Sequence, residues 1–328
     1  MRPLLSVRDL SVQILKGKKA FPAVHDISFN LFPGEINGIV GESGCGKSLT
    51  ALSITGLLPN AAEVKGSVFF TPQDQEQSRD LLKMSEKELC GIRGKEISMI
   101  FQEPISSLNP LQKIGRQICE VLEIHEGKKG SLKNKQKAIE LMQSLGLHDA
   151  EKLMDNYPWM LSGGMCQRVM IALAMICGPR LLIADEPSTA LDRNTQDEVL
   201  KLLEQINRES AASILFISHD LGLIKRLCHK VMVMYAGRIV EEGGVEEVFS
   251  HPAHEYTKGL LGALPERSRR GTKLKVIPGQ VPSIEEADIR GCPFAPRCSK
   301  AEESCRSNFP GEVFINMNHK CRCITEAL

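Results

Sequence analysis

The sequence lacks the apolar segments that would place a chain in a membrane. No run of about 18 apolar residues, the length that a membrane-spanning helix requires, occurs among its 328 residues. The first residues, Met1 to Val7, contain no long apolar region of the kind that signal peptides have. We therefore expect a chain without a signal peptide that does not cross a membrane, and any membrane contact would go through a partner.

An excess of charge of either sign is also absent. Lysine and arginine total 41, aspartate and glutamate total 40, and the formal net charge is +1. Such a balance gives no bulk attraction to nucleic acid or to anionic lipid, so we expect no nucleic-acid partner. The 42% of apolar and 25% of charged residues are ordinary for a globular protein. The length predicts one large domain or a domain with an appendage.

A glycine-rich stretch at residues 41–48 fits the pattern of a phosphate-binding loop, GxxxxGK[ST]. An apolar, β-branched segment precedes the stretch and a helical pattern at 49–58 follows it, which is the context that the motif needs. Glycines let backbone N–H groups curl around an anion, and the helix adds its positive N-terminal end. We expect Lys47 to reach the β- and γ-phosphates of a nucleotide and Ser48 to bind Mg²⁺. The candidate nucleotide-binding residues of this loop are Gly41, Glu42, Ser43, Gly44, Cys45, Gly46, Lys47 and Ser48.

Two adjacent acids end an apolar strand pattern at Leu181–Glu186. Ligands of α/β folds lie at the carboxyl ends of parallel strands. We expect Asp185 to hold Mg²⁺, directly or through water, and Glu186 to polarise a water for in-line attack on the γ-phosphate. A solvated strand end is the alternative.

A second pair of glycines, Gly163 and Gly164, follows Ser162 at the start of a helical pattern. Ser162 is a natural N-cap, so a capped, buried helix explains the serine and the apolar run after it. A capped, buried helix does not explain Gly163 and Gly164, because glycines weaken a helix. Two glycines at a helix start are typical of an anion-binding end.

Two further residues have open roles. His219 follows the strand pattern Ile214–Ile217; a lone histidine there is usually structural, but a strand beside the acidic strand favours a γ-phosphate contact. Phe21 is the only aromatic residue near a basic turn at 16–19. It would either stack on a purine base or occupy a core or rim position.

Strand patterns that alternate with helix patterns predict an α/β fold: a mostly parallel, doubly wound sheet with an antiparallel β layer beside it. The segment 116–160 has no strand signature, which predicts a helical subdomain at about 103–165. We expect a main domain at 1–250 and a small cysteine-rich C-terminal domain at 251–328.

These motifs together resemble the ATP-binding subunits of ABC transporters, whose fold is an ABC-type P-loop ATPase domain. All the family elements occur in order over residues 1–250: the phosphate loop, Gln102 of the Q-loop, the signature LSGGxxQR at 161–168, the Walker B strand at 182–186, the D-loop at 188–192 and the switch histidine His219. The resemblance implies that Gln102 contacts Mg²⁺ and senses the membrane partner.

The resemblance also implies partners. Two such chains clamp two ATP molecules head to tail, and Ser162, Gly163, Gly164 and Gln167 of one chain complete the site of the other, beside Asp192 of the D-loop. The second chain would be a paralogue or another copy. Two transmembrane permease subunits and, indirectly, an extracytoplasmic substrate-binding protein would complete the transporter, with this chain on the cytoplasmic face of a bacterial-type membrane.

A narrower resemblance covers the tail. The stretch from His251 to Pro265, residues 277–283, and the run Gly291–Cys298 look like the oligopeptide, dipeptide and nickel importer subfamily. This implies an ATPase that powers peptide import, with nickel or metal-chelate import as the alternative. A soluble ABC ATPase in DNA repair or translation is a further alternative, but its coiled-coil insertion or second ATPase domain is not in the sequence. A non-hydrolysing regulatory module would have a decayed site, and this site is complete.

Five of the eleven cysteines fall in the last 37 residues. Cys292, Cys298, Cys305 and Cys321 lack the close pairs that are typical of zinc sites, apart from Cys321 with Cys323. Four thiolates suit a [4Fe–4S] cluster, which the subfamily resemblance also implies. Zinc is the alternative, and reduced thiols or a disulfide, disfavoured in a reducing cytosol, are others. Cys323 is taken as a spare.

Overall fold

The computed structural model describes residues 2–71, 77–127, 130–189, 191–264, 276–286 and 290–323. Two residues of predicted motifs, Ala190 of the D-loop and Pro265 of the tail, lie outside these ranges. The chain divides into two compact units. Unit 1 comprises the residues up to Leu4, Leu31–Glu35 and Phe70–Leu215, and unit 2 comprises Leu5–Asn30, Ile36–Phe69 and the chain from Phe216 onward.

Strands and helices alternate through most of the described chain. The strands are β1 (Leu5–Lys16), β2 (Lys19–Leu31), β3 (Ile36–Val40), β4 (Ala62–Phe70), β5 (Arg79–Asp80), β6 (Ile97–Ile100), β7 (Leu181–Asp185), β8 (Ser213–Ser218), β9 (Lys230–Tyr235), β10 (Arg238–Gly244), β11 (Val313–Asn316) and β12 (His319–Cys321). The helices are α1 (Lys47–Thr55), α2 (Glu86–Ile92), α3 (Pro104–Ser107), α4 (Ile114–Glu126), α5 (Leu132–Ser144), α6 (Ala150–Leu153), α7 (Gly163–Met175), α8 (Arg193–Ser210), α9 (Leu221–Leu227), α10 (Val245–Ser250), α11 (Glu255–Gly262) and α12 (Glu303–Ser307). Among the helices of the described ranges, none is both long and apolar enough to span a bilayer.

Unit 1 contains a pair of parallel strands, β6 and β7, with Ile97 opposite Leu181 and Ile100 opposite Ala184. All five residues of β7 are buried, as expected for a strand that is covered on both faces. Between β6 and α7 the described residues form α3 to α6 and no strand, in agreement with the helical pattern of this segment. The helical subdomain boundaries at about 103–165 remain a prediction.

Unit 2 contains strands in the order β11-β12-β10-β9-β3. Parallel pairing joins β3 to β9, with Gly38 opposite Val231, and antiparallel pairing joins β9 to β10. The turn between β9 and β10 has positive φ at both Ala236 (42°) and Gly237 (79°), the geometry that tight hairpins favour. The sequence prediction of a hairpin through these two residues is therefore confirmed. A second sheet in this unit contains β2, β1 and β4 in that order.

The C-terminal strands β11 and β12 were missing from the sequence prediction. β12 pairs with β10 in antiparallel fashion, with Cys321 opposite Glu241. Residues within 251–328, predicted as a separate small domain, thus supply strands to the sheet that contains β10. The domain boundary near residue 250 remains a prediction.

A buried carboxylate, that of Glu241, holds this C-terminal region in place. It accepts hydrogen bonds from the backbone N–H groups of Ala253 (2.7 Å) and His254 (2.9 Å). The ring atom Nε2 of His319 lies 2.8 Å from the same side chain. Because a buried carboxylate is costly unless it has such partners, this residue ties β10 to the start of α11 and to β12.

Candidate functional site

The predicted phosphate loop joins β3 to α1 in unit 2. All five residues of β3 are buried, so the strand fixes the start of the loop. Gly46 has φ 103°, a conformation that L side chains rarely adopt. A Cβ added at Gly41 would lie 2.1 Å from the carbonyl oxygen of Met234. The loop therefore needs glycine at both positions, as the motif predicts.

Lys47 lies over this loop. Its side chain is buried, and Nζ donates to the carbonyl oxygens of Gly41 (2.9 Å) and Glu42 (3.2 Å). No described side chain caps the N-terminus of α1. The lysine ammonium and the helix end together give a positive potential that fits a phosphate group.

The acidic strand end lies in unit 1, where β7 places Asp185 and Glu186. Asp185 is buried, and Glu186 has φ 47°. Oε2 of Glu186 accepts hydrogen bonds from Oγ1 of Thr189 (2.9 Å) and from Nε2 of Gln102 (3.4 Å). A left-handed conformation costs a non-glycine residue roughly 1–2 kcal/mol, and such strain concentrates at functional sites. The structure thus brings two predicted residues, Gln102 and Glu186, together.

The signature segment begins α7 in unit 1. Ser162 accepts a hydrogen bond from the N–H of Met165 (3.3 Å), so its prediction as an N-cap is confirmed. A Cβ at Gly164 would lie 2.9 Å from Cγ2 of Thr195, whereas one at Gly163 would meet open space. Close packing therefore explains Gly164 within this chain, which the sequence argument did not anticipate, and leaves Gly163 unexplained by packing.

Two other predicted residues of unit 1, Gln167 and Asp192, each have a defined position at a helix. Gln167 is buried, with 1% of its surface exposed, so its side chain does not lie at the surface of α7 in this structure. Asp192 caps α8 through hydrogen bonds from the N–H groups of Asn194 and Thr195. Hydrogen bonds from Thr195 hold the pKa of Asp192 below its ordinary value. Asp192 therefore carries negative charge at the start of α8.

His219 and Phe21 belong to unit 2. His219 is exposed at the end of β8, and the adjacent Asp220 caps α9. Phe21 lies half-buried in β2, and the ammonium of Lys16 is 5.9 Å from the centre of its ring. Their roles at a nucleotide remain predictions.

The four cysteines predicted as metal ligands are not gathered into one site. Within the described ranges, no three His, Cys, Asp or Glu side chains are grouped so that they could hold a metal ion. None of the eleven cysteines forms a disulfide. The residues present therefore do not fit an iron–sulfur cluster or a zinc ion in this conformation.

The choice of Cys321 rather than Cys323 as the fourth ligand remains a prediction. Cys321 is buried within β12, where pairing with β10 and β11 fixes it. The pKa of the Cys292 thiol is raised to about 11, chiefly by burial and to a smaller extent by the charges of Cys305 and Cys323. Burial likewise raises the pKa of the Cys298 thiol, with smaller contributions in the same direction from Glu255, Cys323 and Cys305.

Comparison with known protein families shows which family the chain belongs to. The model of the ABC transporter family matches residues 24–189, a range that includes the phosphate loop, Gln102, the signature segment and the acidic strand end. The chain belongs to the ABC transporter family. Phe21, Asp192 and His219 lie outside the matched range. A second model, described as the C-terminal region of oligopeptide/dipeptide transporters, matches residues 240–305.

Curated ABC relatives are similar over nearly the whole chain. A probable peptide ABC transporter ATP-binding protein of Sinorhizobium fredii is 44% identical, over 98% of this chain and 94% of the relative. The oligopeptide transport ATP-binding protein AppD of Bacillus subtilis is 43% identical, over 98% and 97%. A solved structure described as a dimer of the ATP-binding cassette MJ0796 bound to ADP and phosphate is 25% identical, with a TM-score of 0.64, over 74% of this chain and 98% of that one. The ABC-type ATPase fold predicted from the motifs is confirmed.

The sequence argument missed three residues, Thr189, Tyr256 and Arg297, each of which contacts a predicted site residue of this ABC protein. Thr189 is bonded to Glu186, whereas Tyr256 and Arg297 are bonded to Glu42 of the phosphate loop. Thr189 sits inside the predicted D-loop, so its position was a usable signal. Tyr256 and Arg297 belong to the tail motif, and no spacing links them to residue 42.

Proposed function

We propose that this chain binds and hydrolyses ATP and thereby drives the import of di- or oligopeptides through membrane partners. Membership of the ABC transporter family supports the ATPase activity. The match of residues 240–305 to the oligopeptide/dipeptide transporter region, and the names of the full-length relatives, support a peptide substrate. The observation that carries hydrolysis is the Glu186 carboxylate, fixed by Thr189 and Gln102 at the end of a buried strand.

The phosphate loop would bind the β- and γ-phosphates. Lys47 and the N-terminal end of α1 supply positive charge there. The hydroxyl of Ser48, the carboxylate of Asp185 and the amide oxygen of Gln102 are hard oxygen donors, which fit Mg²⁺. When bound, Mg²⁺ would neutralise charge on the β- and γ-phosphate oxygens.

Glu186 would act on the attacking water. Its carboxylate orients and polarises the water, whose oxygen bonds to the γ-phosphorus while the bond from that phosphorus to the ADP oxygen breaks. The products are ADP and inorganic phosphate. Thr189 and Gln102 both donate to Oε2, which holds the carboxylate in one orientation. His219 would contact the γ-phosphate, and Phe21 would stack on the adenine.

A second ATP-binding chain, a paralogue or another copy, would complete each site. Ser162, Gly163 and Gly164 would contact the γ-phosphate held by the partner, with Asp192 and Gln167 in supporting positions. The open space beside Gly163 supports close approach of a ligand. The burial of Gln167 favours a role in holding α7.

The membrane partners follow from the transport role. We expect two transmembrane permease subunits, an extracytoplasmic substrate-binding protein that this chain does not touch, and a peripheral position on the cytoplasmic face of the membrane. ATP-driven association of two such chains would pull on the permease subunits through the Gln102 region and the helical subdomain, and hydrolysis would reset them.

An iron–sulfur cluster in the tail would require a rearrangement of the thiols, because the described residues do not form a metal-binding group. Anaerobic purification with iron, sulfide and zinc analysis tests it. Roughly four irons per chain, lost in Cys321→Ser but kept in Cys323→Ser, would support a cluster with Cys292, Cys298, Cys305 and Cys321 as ligands. Metal-free protein would remove the cluster from the proposal and leave the ATPase unchanged.

Uptake in cells tests the whole function. A strain that lacks this chain is complemented with the wild type or with Glu186→Gln, and uptake of radiolabelled tripeptide and pentapeptide is measured beside uptake of nickel-63. We expect peptide uptake to be restored by the wild type alone. Restoration of nickel uptake without peptide uptake would overturn the peptide assignment, and restoration of peptide uptake by Glu186→Gln would overturn the role of ATP hydrolysis.

A further inference from the structure

Glu42, the second residue of the phosphate loop, is held at two points by the C-terminal region. Its backbone N–H donates to the hydroxyl of Tyr256 at 2.9 Å. Its carboxylate accepts two hydrogen bonds from Arg297, at 2.6 Å to Oε2 and 3.1 Å to Oε1. Paired bonds of this kind between a guanidinium and a carboxylate are strong and fix geometry.

Arg297 is itself fixed. Its side chain is 6% exposed, Nε donates to the carbonyl oxygen of Pro278 (2.8 Å), and Nη1 also donates to the hydroxyl of Tyr235 (3.2 Å). The guanidinium lies 5.7 Å and 5.8 Å from the ring centres of Tyr235 and Phe294. The hydrogen bonds to Glu42 raise the pKa of Arg297 further above its ordinary value. The arginine therefore reaches Glu42 as a rigid, permanently charged fork.

Tyr256 has an equally fixed position. It is fully buried, and its ring centre lies 4.6 Å from that of Tyr235 and 5.4 Å from that of Phe294. Burial raises its pKa, so the hydroxyl stays neutral and accepts the Glu42 N–H.

Glu42, the loop residue that Tyr256 and Arg297 hold, is also contacted by Lys47. Nζ of Lys47 donates to the carbonyl oxygen of Glu42. A displacement of Glu42 would therefore move the backbone that positions the lysine. In addition, the Glu42 carboxylate is a negative charge on a loop assigned to an anionic ligand, and Arg297 compensates that charge.

We propose that Arg297 and Tyr256 are positioning residues of the phosphate loop, which set its affinity for MgATP by holding Glu42 and by neutralising its carboxylate. This inference rests on the proposed ATP-binding function. It assigns the C-terminal region a part in nucleotide binding. Arg297 lies in the short turn between Cys292 and Cys298, where the N–H of Cys298 donates to Ala295 and that of Ala295 to Cys292. The shape of this cysteine segment thus determines where the guanidinium lies.

Four variants of the full chain test the positioning role: Arg297→Met, Arg297→Lys, Tyr256→Phe and the double variant Arg297→Met with Glu42→Gln. The readouts are the KM and kcat for ATP, and calorimetric binding of the analogue adenylyl imidodiphosphate with Mg²⁺. We expect Arg297→Met to raise the KM and the dissociation constant roughly ten-fold or more, the size expected for loss of a hydrogen-bonded charge, with a smaller change in kcat. The KM and the dissociation constant of Arg297→Lys and Tyr256→Phe should lie between those of the wild type and of Arg297→Met. The first variant keeps the charge, and the second removes only one hydrogen-bond acceptor.

The double variant separates positioning from folding. Removal of the Glu42 charge should recover a large part of the lost affinity, which a merely unfolded protein could not do. Arg306→Met, an exposed arginine of the same region, is the matched control and should behave as wild type. An unchanged KM in Arg297→Met, or equal affinity of the single and double variants, would overturn the inference. Failure of the wild type to bind the analogue would instead contradict the ATP-binding function.

Discussion

The side-chain amide of Gln102 donates to the carboxylate of Glu186 across 3.4 Å, although 84 residues separate the two in sequence. Thr189 donates to the same oxygen at 2.9 Å. The left-handed backbone of Glu186 is strained, and these bonds, with the buried strand before it, hold it in place. The carboxylate is therefore preorganised, which is what the role of a general base requires.

Replacement of this carboxylate by an amide tests that role directly. We expect Glu186→Gln to keep ATP binding and to lose turnover by roughly 10²-fold or more, because the amide cannot accept the proton of the attacking water. Steady-state phosphate release and calorimetric ATP binding measure the two effects separately. Glu151→Gln, an exposed glutamate on α6, is the control. Unchanged turnover in Glu186→Gln would remove Glu186 from this role.

Local patterns were sufficient to predict much of the site. The phosphate loop was predictable because its glycine pattern is local, and the backbone geometry at Gly46 requires glycine there. The close packing that requires glycine at Gly41 is against Met234, a distant residue that the pattern does not reveal. The hairpin through Ala236 and Gly237 follows from the same kind of local constraint. The cap formed by Ser162 is likewise a contact over three residues.

Contacts between distant segments could not be predicted in the same way. The strand β12 has only three residues, too few for a periodic signal, and its register depends on the contact of His319 with Glu241, 78 residues away. The bond between Arg297 and Glu42 spans 255 residues. The pairing of Cys321 with Glu241 of β10 is likewise a long-range contact, which cysteine spacing alone does not reveal.

The lysine of the phosphate loop gives a second prediction. Lys47→Ala removes the buried ammonium that lies over the carbonyl oxygens of Gly41 and Glu42, and with it the positive charge meant for the phosphates. We expect calorimetry to detect no binding of MgATP in this variant. Lys65→Ala, which removes an exposed lysine on β4, should bind normally. Normal ATP affinity in Lys47→Ala would contradict the assignment of the loop.

Stability at acid pH depends on His254. Burial lowers the pKa of this residue from 6.5 to about 4, against the opposing influence of Glu241 and Glu255 and with a small contribution from Lys258. Its Nδ1 accepts the N–H of Tyr256 and so caps α11, which requires the neutral ring. The unfolded chain therefore binds a proton at a pH at which the folded chain does not. Stability from this residue is complete above pH 6.5 and is lost as the pH falls toward 4.

The loss can be isolated by comparison with His254→Asn, since asparagine also caps helices but does not titrate. Urea unfolding of both proteins between pH 7 and pH 4 measures the difference in free energy of unfolding. We expect the wild type to lose roughly 3 kcal/mol relative to the variant over this window, at 1.36 kcal/mol for each unit of pKa difference. His148→Asn, at an exposed histidine, should follow the wild type. Parallel pH profiles for wild type and His254→Asn would refute the prediction.

The two glycines that begin α7 give a matched pair for the proposed second half of the ATP site. A methyl group at Gly163 meets open space within the chain, whereas one at Gly164 would crowd Thr195. Gly163→Ala should therefore leave thermal stability unchanged or slightly higher, because alanine favours a helix over glycine. If the γ-phosphate of a partner chain approaches this backbone, the added methyl should lower ATP turnover about ten-fold or more, the cost of one lost charge-assisted hydrogen bond, without weakening ATP binding to the isolated chain. Gly164→Ala should lose stability as well as turnover. Full turnover in a stable Gly163→Ala protein would show that no ligand approaches this helix start, and the head-to-tail arrangement would then have to be abandoned for this chain.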